Sequence, residues 1–106
     1  MTAVPVSIHP NVVLNELMAI SASAETQRDR IGRTESRINE LKAGLSQAAD
    51  HLGWGERRKQ QHVDEIVTKL MEAKQLASTE QFAVLSRAIA LLTATGNKLP
   101  ALQGYS

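Results

Sequence analysis

The chain has 106 residues, 42% of them hydrophobic and 22% charged, and twelve basic side chains nearly balance eleven acidic ones to leave a formal net charge of +1. That length suits one domain with a modest core and excludes a catalytic domain joined to a separate binding domain. The composition excludes wholesale disorder, and the balanced charge excludes a global field that would gather nucleic acid or anionic membrane.

Residues 1–10 place Pro5 and Pro10 around an alternating Val4, Val6, Ile8 pattern, which predicts an extended arm that packs on its own chain or pairs with a partner's sheet edge. There is no basic start followed by an apolar run, and no window of about 18 apolar residues, so neither a classical signal peptide nor a membrane span is expected. A cytoplasmic location is expected, with leaderless export also compatible.

Helix is expected to begin close to Pro10, which a first helical turn tolerates, or with Asn11 as its cap. From there Val13, Leu17, Ile20, Ala24, Gln27, Ile31, Thr34, Ile38, Leu41, Leu45, Ala48 and Leu52 follow alternating steps of four and three, the spacing of a heptad seam. A continuous helix over this stretch would run about 40 residues, roughly 60 Å. Its middle is its weakest part: Gln27 and Thr34 are polar, Glu25 to Arg37 is rich in charge, and Gly32 falls in the interior. The alternative is a break at Ser21-Ala22-Ser23 with a new start near Thr26.

Gly53-Trp54-Gly55 closes the seam at the midpoint of the chain, since glycine permits the left-handed backbone that ends a helix and reverses it. Val63, Ile66, Val67, Leu70, Met71, Ala73 and Ala77 then form a second, wider apolar face. Ser78-Thr79-Glu80-Gln81 matches a capping box, so a third helix is expected from about residue 79. Phe82, Val84, Leu85, Ala88, Ile89, Leu91 and Leu92 cover most of a helix circumference, which implies burial against more than one neighbour. Gly96-Asn97 is expected to cap the end. The predicted organisation is an arm over 1–10, one helical-hairpin domain over 11–96 and a tail over 97–106. The fold class is all-α, a long helical hairpin or coiled-coil-like bundle turning near Gly53-Trp54-Gly55.

Motifs that carry chemistry are missing. No glycine-rich phosphate loop, nucleophile elbow or His-Glu-x-x-His is present, and His9, His51 and His62 lack the spacing of a helix-borne metal site. Cysteine is absent, which removes thiolate ligands and thiol nucleophiles, and the aromatics number three, Trp54, Phe82 and Tyr105. No catalytic residue, cofactor or metal is expected.

Two basic clusters remain. Arg28, Arg30, Arg33 and Arg37 are interspersed with Glu25, Asp29 and Glu35, which fits a solvated, internally paired face. Arg57, Arg58 and Lys59 open the second segment, where the helix dipole prefers anions, and that misfit makes them the stronger interaction candidates. Trp54 between two glycines is expected to plug the end of the bundle or to anchor a partner. Phe82, Leu85, Ile89 and Leu92 complete the candidate interaction set. Leu17, Ile20, Ile31, Ile38, Leu41, Leu45 and Leu52 are the candidate helix seam, with Gln27 and Thr34 as candidate register-setting positions.

A central tryptophan-glycine turn between two long helices, in about a hundred residues, resembles the layout of the Trp-X-Gly family of small secreted helical hairpins. The needle-type hairpins of type III secretion share that layout. Here the order is Gly53-Trp54-Gly55-Glu56, with glycine directly after tryptophan, and Gly104-Tyr105-Ser106 lacks the family's acidic export signal after tyrosine, so the chain is not assigned to either. The reading that follows is a non-enzymatic assembly or adaptor protein presenting helical faces to a protein partner or to itself as a homo-oligomer. Its expected settings are a secretion apparatus, a phage or mobile element, the inhibition of a host machine, or a small chaperone. The alternative is a nucleic-acid-associated accessory factor using the basic patch near the tip.

Overall fold

A computed structural model of the chain describes residues 8–94. Four helices occupy this span: α1 (Pro10–Ser21), α2 (Gln27–Leu52), α3 (Glu56–Lys74) and α4 (Thr79–Thr93), with no strand among the described residues. Most of the expected arm, the expected Gly96-Asn97 cap and the tail lie outside the described residues.

Local signals account for most helix ends. His9 caps α1, its Nδ1 accepting the Asn11 N–H at 3.1 Å with Pro10 in the first turn, so the cap is His9 rather than Asn11. Thr26 caps α2 by accepting the Asp29 N–H at 3.1 Å. The capping box predicted at α4 is complete: Ser78 Oγ accepts from Gln81 N, and Gln81 Oε1 accepts from Ser78 N. α4 ends at Thr93, with Ala94 as its C-cap.

The first segment is therefore two helices, broken over Ala22–Thr26, and no 60 Å rod exists. The described chain measures 39 × 38 × 22 Å. α2, with 26 residues, accounts for the long dimension at about 1.5 Å per residue, and 22 Å is about two helix diameters.

The helices do not pair as a hairpin of two long rods. α2 packs chiefly on α4, α4 on α3, and α1 lies across α3 and α4, whereas the consecutive pair α2 and α3 share the least. The reason lies in the apolar faces. α2 has one buried row, Ile38, Leu41, Leu45 and Ala49, and it is covered chiefly by α4, which buries Val84, Leu85, Ala88 and Leu92. Two polar contacts fix the direction. Arg87 on α4 pairs with Glu35 on α2, and further along both helices Lys42 donates to the Leu91 carbonyl at 3.1 Å, so α2 and α4 run in the same sense. Lys42 also sets a cation against carbonyls near the C-terminal end of α4, where the dipole favours it.

One core results: Val13, Leu17 and Ile20 from α1, Ile38 and Leu41 from α2, Ile66 and Leu70 from α3, and Val84, Leu85, Ala88 and Leu92 from α4. Each fully buried Leu or Ile contributes about 1.5–3 kcal/mol by leaving water. α4 thus has more than one neighbour, as its wide apolar face implies. The seam divides accordingly. Leu17, Ile20, Ile38, Leu41 and Leu45 are buried, Ile31 is half-buried, and Leu52 is 59% exposed beyond the reach of α4. Gln27 is exposed at the start of α2, outside any seam. Thr34 is fully buried, and its hydroxyl donates to the Arg30 carbonyl within its own helix at 2.8 Å.

Candidate functional site

The turn between α2 and α3 is built by backbone hydrogen bonding. Gly53 adopts φ 76°, the Gly53 N–H reaches the Asp50 carbonyl at 3.4 Å and the Trp54 N–H reaches the Ala49 carbonyl at 2.8 Å. This pair of bonds is the Schellman motif, which places the residue after the left-handed glycine against the last turn of the helix. That residue is Trp54, so its position follows from the cap and not from a search for a hydrophobic hole.

Around Trp54 the geometry is stacked. The Arg58 guanidinium carbon lies 4.9 Å from the indole centroid, and the His62 ring lies 5.6 Å away, tilted by 46°. His62 Nε2 donates to the Ile8 carbonyl at 2.6 Å, so the start of α1 is tied to α3 through this ring. The carbonyl accepts only, which fixes the proton on Nε2. Trp54 is half-buried, so it neither fills the bundle end completely nor stands free. Lys59 pairs with Glu56 at 3.2 Å, while Arg57 and Arg58 are exposed.

Three of the four arginines of the other basic cluster are engaged at the α1–α2 corner. Arg30 donates to the Ser23 carbonyl at 2.9 Å, Arg33 pairs with Glu25 at 3.1 Å, and Arg37 pairs with Glu16 on α1. An open cleft of about 420 Å³ lies over Ala19 and Ile20, lined by Arg33, Arg37, Glu16 and Glu40. Its charges compensate one another. Arg28 is exposed on α2.

Of the candidate interaction residues on α4, Leu85 and Leu92 belong to the chain's own core and Ile89 is half-buried, because α1, α2 and α3 together cover that face. The wide apolar face of α4 is thus buried within the chain itself on three sides. Phe82 remains 50% exposed, with Lys74 Nζ 5.0 Å from its ring centroid. Met71 at 51% and Leu76 at 90% are exposed near the same α3–α4 link and were not among the expected interaction residues. The available signal was position: Leu76 lies two residues before the Ser78 cap, in the link between α3 and α4 and outside both helical faces.

Among the described residues no three of His, Cys, Asp and Glu gather to hold a metal ion, and no helix is long and apolar enough to cross a membrane. No family model, no curated protein and no solved structure matches this chain.

Proposed function

We propose that the chain is a non-catalytic α-helical interaction or assembly module, an adaptor that binds a second copy of itself or another protein through a helical face. The observation that carries this reading is the outward side of α4. Beyond its first turn the exposed positions are Phe82, Arg87, Ala90 and Thr93, and the one charge among them is neutralised by Glu35. α3 exposes Met71 too, but among Arg57, Arg58, Asp64, Glu65 and Glu72. Covering the α4 side removes apolar surface from water, and Lys74 over the Phe82 ring is the cation such a cover would have to leave solvated or meet with a carboxylate. An isologous dimer about α4 is the simplest assembly. A secretion apparatus, a phage or mobile element, the inhibition of a host machine and a small chaperone are settings in which such a module would act.

Light scattering coupled to size exclusion, across concentrations and at two salt levels, tests self-association. A dimer that Phe82→Glu converts to a monomer supports it. A wild-type monomer at every concentration overturns it and leaves a heterologous partner as the occupant. The second reading, a nucleic-acid-associated factor, draws on Arg57 and Arg58, which make no ion pair among the described residues. Steeply salt-dependent binding to generic duplex would support it, and no binding at low salt would remove it.

A further inference from the structure

We infer that the α2–α3 tip is a second docking surface, fitted to an acidic segment of a partner protein that carries an apolar side chain beside its carboxylates. Two independent features meet there. One is apolar: Leu52 is 59% exposed at the end of α2, two residues before the half-buried Trp54, whose place the Schellman turn fixes. The other is electrostatic. Of the carboxylates in the first half of α3, Glu56 pairs with Lys59 and Asp64 accepts from Gln60, and neither Asp64 nor Glu65 pairs with Arg57 or Arg58. Asp50, on the last turn of α2, pairs with neither nearby arginine. Arg57 and Arg58 are thus uncompensated among the described residues.

Gly55, the N-cap of α3, supplies no side-chain acceptor, so the positive end of that helix adds to the two guanidiniums. Cations in a first turn disfavour the helix, and a carboxylate from outside relieves that repulsion. Arg58 is held over Trp54, so one donor is positioned before any partner arrives. Protein is favoured over nucleic acid as the occupant because a phosphate backbone makes no use of exposed Leu52, and two arginines on a chain of net charge +1 give a short footprint.

Trp54 is the sole tryptophan, so its emission reports on the tip. The full chain is titrated with a short synthetic peptide of alternating glutamate and leucine, with its glutamine–leucine counterpart, and with a random-sequence DNA duplex, each also followed by calorimetry. The expected result is saturable binding of the glutamate peptide that weakens with salt, with no saturable binding of the glutamine peptide. Arg57→Glu, which leaves the Arg58–Trp54 contact in place, should weaken that binding at least about tenfold, and Arg28→Glu should change it by no more than about twofold. Equal binding of the two peptides, or tighter binding of the duplex, overturns the proposal. So does an Arg57→Glu variant that folds, by circular dichroism, and binds as the wild type does. Phe82→Glu should keep the peptide affinity, so loss of self-association through α4 and loss of tip binding are separable.

Discussion

At one end of α2, Arg30, Arg33 and Arg37 reach back across the Ala22–Thr26 link and each meets an acceptor, on Ser23, Glu25 and Glu16. Past the other end, Arg57 and Arg58 meet none, although carboxylates are as frequent nearby. The two corners share residue types and differ in where the backbone puts the acceptors. A loop that folds α1 against α2 brings Glu16 and Glu25 within reach, whereas the three-residue turn between α2 and α3 leaves those helices splayed and gives Arg57 nothing opposite. Arginine at the first corner is a brace, and at the second a surface.

The largest expected difference between the corners is in stability. The Arg37 side chain is only 14% exposed, so Arg37→Ala strips packing as well as the Glu16 pair and should destabilise by about 1–2 kcal/mol, a fall in melting temperature of roughly 5–10 °C. A double-mutant cycle with Glu16→Ala isolates the pair; a coupling near zero would reduce the brace to packing alone. Next is the turn itself. Gly53→Ala meets open space but forces a side chain to φ 76°, and denaturant titration should show a loss of about 1 kcal/mol. An unchanged midpoint would mean that the Schellman geometry does not fix Trp54.

How much of this was legible beforehand depends on distance along the chain. The start at Thr26, the reversal at Gly53 and the box at Ser78 and Gln81 are written in four or five adjacent residues, because a cap is satisfied by its own helix. The partner of Ile38, Leu41 and Leu45 is not. A heptad row states that a face will be buried and is silent on what buries it, so α4, reached only after α3, could not be read as the neighbour of α2. For the same reason the row ran on through Ala24 and Gln27, which are exposed, and on to Leu52, which overhangs. At the sites, Arg57 and Arg58 were visible as a dipole misfit. The bracing of Arg30, Arg33 and Arg37 needed the fold, since Glu16 lies 21 residues from Arg37.

The smallest expected effects decide whether the tip is held for stability or kept for contact. Arg58→Ala removes the guanidinium from the Trp54 face and should cost about 0.5–1 kcal/mol, with a change in tryptophan emission as the ring gains water on one side. Arg57→Ala should leave stability within about 0.5 kcal/mol of the wild type, because no described group loses a partner. A gain is as informative as no change, since removing a cation from the first turn of α3 relieves an unfavourable dipole interaction and small stabilisation is the expected sign. A clear loss from Arg57→Ala, above about 1 kcal/mol, would assign that residue an intramolecular acceptor and make the α2–α3 corner a brace like the α1–α2 corner.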